Sequence, residues 1–133
     1  MISTSSWQAS GLVALGGGAG ALLRLHLGRI VTAIAGPAAL FPWGTFLINV
    51  GGSLAMGLLA GWLARANGAE AWRLLLGVGV LGGFTTFSSF ALETALLIER
   101  GQGGLAAAYA AGSVAAGLAG LFLGLAIMRG AAA

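Results

Sequence analysis

Four long apolar segments make up most of the 133-residue chain, and short polar or charged stretches separate them. They cover approximately residues 9–34, 44–64, 72–98 and 104–128. Each is long enough to cross a bilayer as a helix, which takes about 20 residues. Residues 36–42 contain two prolines and predict a turn, and residues 65–73 predict a short polar loop. The pattern therefore predicts an all-α integral membrane protein with one four-helix transmembrane domain over residues 1–133.

The tryptophans support these boundaries independently. Tryptophan is enriched where a helix leaves the hydrocarbon region. All four tryptophans fall at or near the end of a predicted span: Trp7, Trp43, Trp62 and Trp72. The first span lacks a basic residue before it, so we interpret it as a retained membrane anchor and not as a secretory signal.

The third segment contains a stretch that a simple lipid-facing helix would lack: Gly82-Gly83-Phe84-Thr85-Thr86-Phe87-Ser88-Ser89-Phe90. Paired glycines and paired threonines both have low helix propensity. The third helix is therefore predicted to break near its middle. Irregular backbone at membrane depth is tolerated only where protein or a water-filled path covers it. The stretch thus predicts the lining of a permeation or binding site.

Glycines spaced by four predict close contacts between helices. The chain has this spacing at Gly16 and Gly20, at Gly57 and Gly61, and at Gly120 and Gly124.

Composition and charge exclude several classes of function. The chain is 59% hydrophobic and 7% charged, with six arginines, three glutamates and no cysteine. The arginines are scattered singly and form no basic patch, so nucleic-acid binding is excluded. Without cysteine there is neither a disulfide nor a thiolate metal site. No nucleophile–base pair or metal-ligand cluster is visible, so the chain is not predicted to be an enzyme.

The arginines give little orientation signal. Three of the arginines at or near span ends would lie on one side of the membrane and two on the other: Arg65, Arg73 and Arg129, against Arg29 and Arg100. Orientation follows the excess of positive charge in cytoplasmic loops, and this excess is small. The balance permits insertion in both directions and hence an antiparallel homodimer.

Nearly all polar side chains within the spans can donate a hydrogen bond: Asn49, Ser53, Thr85, Thr86, Ser88, Ser89, Tyr109, Ser113 and Arg24. Phe87 and Phe90 add ring edges with partial positive charge. Such a lining suits a small anion, because the donors replace its hydration shell. The residues alone leave other interpretations open, and the phenylalanine stripe in isolation is more typical of core packing.

The same ambiguity holds for the individual polar residues. Asn49 could serve only as an interhelical hydrogen bond, although it is the only amide side chain within a span. Glu93 could be a structural carboxylate, and Arg24 could face a cavity or extend to the interface. Arg29 is interpreted as an interfacial anchor and His26 as a packing residue.

Three segments, in order, resemble motifs of the Fluc (CrcB-type) fluoride channels. They are residues 17–24 in the first span, residues 44–53 in the second, and residues 82–90 in the third. The resemblance implies a dual-topology antiparallel homodimer in the bacterial inner membrane, surrounded by lipid. It also implies two fluoride pores along the dimer interface and a central structural sodium ion.

The resemblance also implies roles for particular residues. Phe87 and Phe90 resemble the pore phenylalanines, Asn49 the pore amide, and Arg24 the vestibule arginine. The residues that resemble the family's track of hydroxyls along each pore are Ser88, Ser89, Tyr109 and Ser113. Glu93 lies where the family often has a carboxylate. Gly82 and Thr85 resemble the residues whose backbone carbonyls bind sodium. Ser89 departs from the pattern, since the family commonly has threonine there.

Two other functions are compatible with the sequence. A small dual-topology, proton-coupled exporter of cationic drugs would need a carboxylate in the substrate path, and Glu93 is the candidate available. A non-conducting assembly subunit would explain the glycine motifs, but it leaves the threonine pair and Asn49 unexplained.

Overall fold

The computed structural model describes residues 5–66 and 70–130, and four of its helices are long and apolar enough to span a membrane. The first two spans are α1 (Ser6–Ala35) and α2 (Trp43–Arg65). The third, Glu70–Glu99, consists of α3 over residues 70–84 and α4 (Phe87–Glu99). The fourth is α5 (Gly103–Gly130). The prediction of an all-α, four-span membrane protein is confirmed.

The first connection begins at a glycine. α1 starts with a capping box, in which Ser5 and Gln8 bond to each other's backbone N–H groups. It stops at Gly36, whose φ of 85° is a conformation that residues with a Cβ rarely adopt. Pro42 then precedes the first residue of α2. The predicted turn over residues 36–42 is confirmed.

The second predicted loop is shorter than expected. Helical structure resumes at Glu70, and Arg73 already belongs to the third span, where its guanidinium lies 3.6 Å from the Glu70 carboxylate. Residues 67–69 of the predicted loop lie outside the described residues. The predicted loop was therefore wrong at residues 70–73, of which the third predicted span already included 72 and 73; charged partners one turn apart, such as Glu70 and Arg73, favour a helix here.

α3 has an unusual internal structure and ends sharply. Residues Arg73–Leu81 form wide π-helical turns, and Gly82–Phe84 complete the helix. Thr85 and Thr86 are then extended, with ψ angles of 158° and 120°. The predicted break is confirmed, but it lies at the threonine pair and not at the glycine pair.

The glycine pair stays helical, and Gly83 packs against another helix. Gly82 has ordinary helical angles, with φ −64° and ψ −38°. A Cβ on Gly83 would collide with the Gly17 carbonyl of α1. The glycines therefore permit close helix contact here, and their low intrinsic propensity does not decide the local structure.

The predicted glycine motifs form two helix pairs. Gly16 and Gly20 of α1 contact α3, and a Cβ on Gly16 would lie 3.0 Å from the Cα of Gly79. Gly57 of α2 packs against the Leu121 carbonyl of α5, and Gly124 of α5 against that of Leu54. At each contact the backbones approach so closely that a methyl group would not fit.

Few large side chains are buried within one copy of the chain. Tyr109 is fully buried, and Ile48, Leu97 and Ala106 are at most 5% exposed. Many leucines, isoleucines and phenylalanines point outward, including Phe87 at 79% exposure. An apolar exterior is expected of a multi-pass membrane protein.

The α1–α3 contact gives a testable prediction. Gly16→Ala should lower the free energy of unfolding by about 1–3 kcal/mol, because the new methyl would meet the backbone of α3 and could not rotate away. Gly18→Ala is the matched control, since Gly18 has no neighbour within 4 Å of a Cβ. Thermal unfolding of both variants in one detergent measures the difference. Equal midpoints for the two variants would contradict the packing described here.

Candidate functional site

The side chain of Asn49 binds the backbone at the break in the third span. Asn49 Nδ2 donates to the Thr86 carbonyl at 2.9 Å, and the Thr86 N–H donates to Asn49 Oδ1 at 2.8 Å. An amide can pair in this way with the N–H and the C=O of a single residue. Thr86 is 8% exposed, so water does not compete freely for these groups. α2 thereby holds the extended residue at the middle of the third span.

The hydroxyl of Thr86 starts α4. It accepts a hydrogen bond from the Ser89 N–H at 3.2 Å, as a helix N-cap does, and it donates to Ser89 Oγ at 3.1 Å. Ser88 Oγ lies 3.4 Å from the same hydroxyl. The hydroxyls of Thr86, Ser88 and Ser89 thus lie together at the first turn of α4.

The break also leaves backbone carbonyls of α3 without their helical partners. In a continuous helix the Thr86 N–H would donate to the Gly82 carbonyl, but here it donates to Asn49. The Thr85 N–H and hydroxyl both donate to the Leu81 carbonyl, at 3.0 and 2.9 Å. The last carbonyls of a helix have no partner within it. Oxygen atoms of residues 82–84 are therefore available at the end of α3.

Glu93 of α4 accepts hydrogen bonds from two other helices. Thr45 of α2 donates to Oε1 and Tyr109 of α5 donates to Oε2, each at 2.7 Å. Both oxygens of the carboxyl group therefore have a donor. The arrangement ties α4 to its two neighbours about two turns after the break.

The aromatic side chains form a connected row. The ring centroids of Phe87 and Phe90 are 5.5 Å apart, and those of Phe90 and Tyr109 are 5.2 Å apart. Tyr109 also meets the ring of Phe41 edge to face at 5.3 Å. Tilted and edge-to-face contacts are the favourable geometries for such rings. Phe87, at the outer end of the row, stays largely exposed.

Two grooves meet at Thr86. The larger, of about 960 Å³, is open and lies between α1, the first connection and the first turns of α2 and α4. Its polar lining includes Arg24, Arg29, Thr32, Thr45, Thr86, Ser89 and Glu93. The smaller, of about 290 Å³, is lined by Asn49, Gly52, Ser53, Met56, Thr85, Thr86, Phe87 and Leu121. The Asn49–Thr86 pair therefore stands where the two grooves adjoin.

The structure brings most of the predicted site residues together. One connected set links Asn49 to the α4 hydroxyls, and a second joins the phenylalanines to Tyr109 and Glu93. Arg24 lines the larger groove with Glu93 and Ser89. Ser113 remains apart: its hydroxyl is buried without a hydrogen-bond partner among the described residues.

Sequence reasoning missed Thr45 and assigned Thr86 no particular role. Thr45, Asn49 and Ser53 are spaced by four, so they share one face of α2. That spacing could have identified Thr45 as part of the site. The partner of Thr86 could not have been found in this way, because Asn49 lies 37 positions away.

Comparison with known proteins identifies the family. The family model described as "CrcB-like protein, Camphor Resistance (CrcB)" matches residues 11–125. The chain belongs to the CrcB family. The resemblance noted from the three motifs is thereby confirmed, and membership of this family agrees with the prediction that the chain is not an enzyme.

Curated relatives match nearly the whole chain. A protein of Novosphingobium aromaticivorans named fluoride-specific ion channel FluC is 73% identical over 124 residues, which cover 93% of this chain and 98% of the relative. Fluoride-specific ion channel FluC 2 of Nitrobacter hamburgensis is 56% identical over 89% of this chain and 94% of its own length. Fluoride-specific ion channel FluC of Phenylobacterium zucineum is 55% identical over 92% of this chain and 96% of its own length.

The Asn49–Thr86 pair can be tested by substitution. Asn49→Asp should lower the free energy of unfolding by about 1–3 kcal/mol, because the Thr86 carbonyl loses its donor and faces a carboxylate instead. Ser53→Ala is the control, since Ser53 donates only to the backbone of its own helix. Thermal unfolding in detergent measures both. An Asn49→Asp protein that unfolds at the parent's midpoint would show that the pair does not hold the break.

Proposed function

We propose that the chain is a fluoride-selective channel that lets fluoride leave the cell passively across the bacterial inner membrane. The observation that carries the proposal is the 73% identity, over 93% of the chain, with a protein named as a fluoride-specific ion channel. The matched region spans the candidate site from Arg24 to Ser113, since it covers 93% of the chain.

The chemistry of the site supports an anion as the transported species. Asn49 Nδ2 carries two hydrogens and uses one for Thr86, so one N–H remains for a ligand. Ser88 and Ser89 add hydroxyls at the first turn of α4, and the edges of Phe87 and Phe90 add partial positive charge. Several weak sites of this kind bind an anion without trapping it.

We propose that two copies associate as a dual-topology antiparallel homodimer, with two pores along the interface. The 79% exposure of Phe87 supports this, because a ring that contacts fluoride must be covered from a second side. The balanced arginines support opposite orientations. Labelling of a terminal tag in native membranes should find the tag on both sides; a single orientation would contradict the dual topology.

We also propose a structural sodium ion at the dimer centre, held by the backbone carbonyls of Gly82 and Thr85. The donor set fits a hard cation, since Gly82 has lost its helical N–H partner and carbonyl oxygens freed by a broken helix coordinate sodium. A bound sodium ion should raise the midpoint of thermal unfolding. An equal midpoint in sodium and in a large organic cation would contradict the site.

The exporter alternative depends on Glu93 as a proton-exchanging carboxylate. Both its oxygens already accept hydrogen bonds, and Arg24 lines the same groove, which disfavours a cationic substrate. Proteoliposomes distinguish the two functions. The channel should release fluoride passively and chloride far more slowly; proton flux that depends on a cationic drug, without fluoride release, would favour the exporter.

The two phenylalanines provide a sharp test of the pore. Phe87→Ile or Phe90→Ile should nearly abolish fluoride efflux, because isoleucine lacks the positive ring edge. The change in volume is modest, so the loss of stability should stay at about 1 kcal/mol. Phe122→Ile, at an exposed position of α5 outside both grooves, is the matched control and should conduct like the parent. Folded Phe87→Ile and Phe90→Ile variants with full flux would contradict the pore assignment.

Asn49→Asp should impair efflux as well. A carboxylate repels the anion and removes the free N–H, and the break itself loses a hydrogen bond.

A further inference from the structure

The face of α1 that borders the larger groove carries two arginines. Its lining residues recur every three or four positions, as expected of one helix face: Ala21, Arg24, Leu25, Gly28, Arg29 and Thr32. The sequence suggested that Arg29 anchors the chain at the interface. The structure adds that Arg29 lines the same groove as Arg24.

The contacts between α1 and α2 give the order of the two arginines along the groove. A Cβ on Gly28 would lie 3.6 Å from Ile48, and one on Gly44 would lie 3.4 Å from the Thr32 hydroxyl. The helices are thus antiparallel. The same register places Arg24 level with the turn of α2 that follows Ile48 and starts at Asn49. Arg29 lies about 7.5 Å nearer the first connection, at five residues of helical rise.

The charge of the groove is positive. Among its described lining residues, the ionisable side chains are Arg24, Arg29 and Glu93. Both carboxyl oxygens of Glu93 accept hydrogen bonds from neutral hydroxyls. Clefts lined by one sign of charge raise the local concentration of ions of the opposite sign.

We propose that Arg29 is a second anion-attracting residue, which raises the concentration of fluoride at the outer part of the groove before the ion reaches Arg24 and the Asn49–Thr86 pair. This inference rests on the proposed function. Arg29 is exposed, whereas Arg24 is half-buried. Arg29 therefore acts through its field in water, and salt must screen its effect, because the Debye length shrinks from about 30 Å at 0.01 M to about 3 Å at 1 M.

Fluoride efflux at two ionic strengths tests the proposal. At an ionic strength of about 0.01 M, Arg29→Gln should slow efflux roughly twofold to fivefold, because a charge at about 7 Å in water still raises the local fluoride concentration. At about 1 M the variant should match the parent. Arg29→Lys keeps the charge and should match the parent at both. Arg65→Gln is the control, since Arg65 is also exposed but lies outside the groove.

Three outcomes would overturn the proposal: Arg29→Gln as fast as the parent at low ionic strength, equally slow at both, or no slower than Arg65→Gln. The midpoint of thermal unfolding of Arg29→Gln should equal that of Arg29→Lys, so that a folding defect is distinguished from a loss of charge. A parent chain that releases no fluoride would contradict the proposed function itself. A parent that conducts fluoride, with an Arg29→Gln variant that conducts equally well at low ionic strength, would contradict only this inference.

Discussion

The two hydrogen bonds between the Asn49 side chain and the Thr86 backbone are the constraint on which the site depends. An extended residue within a membrane span has an N–H and a C=O that no helix satisfies and that lipid cannot satisfy. Only a side chain with both a donor and an acceptor can pair with the two at once, and α2 supplies it. α2 comes near enough because Gly52 lies against the break: a Cβ there would meet the Phe84 ring at 3.3 Å.

Once the break is held, the position of α4 follows. Thr86 caps its first turn, so Phe87 and Phe90 leave the helix at fixed angles beside Tyr109. A second attachment, at Glu93, joins α4 to α2 and α5 through Thr45 and Tyr109. The short helix is therefore fixed at its start and again near its middle, which keeps the phenylalanines in place although few side chains around them are buried.

The spans, the glycine contacts and the existence of the break could all be predicted from the sequence, because length, apolarity and residue spacing determine them locally. The exact position of the break could not. Gly82 and Gly83 have low helix propensity, yet both are helical and Gly83 packs against Gly17, while Asn49 satisfies an extended Thr86. The same limit applies to Arg29, whose place in the groove depends on how α1 rotates against α2. Pairings between distant residues decide these points, and no local pattern contains them.

The hydrogen-bond network also bears on what a fluoride ion would meet. The hydroxyls of Thr45 and Tyr109 are directed to Glu93, and that of Ser53 to its own helix, so these donors hold the structure. The remaining N–H of Asn49, the hydroxyls of Ser88 and Ser89 and the ring edges are left for a ligand. A strongly hydrated anion given many fixed donors would bind tightly and leave slowly, whereas conduction requires weak sites in sequence. The commitment of most polar groups to the framework is therefore compatible with transport, because it both holds the break and leaves the path only a few donors.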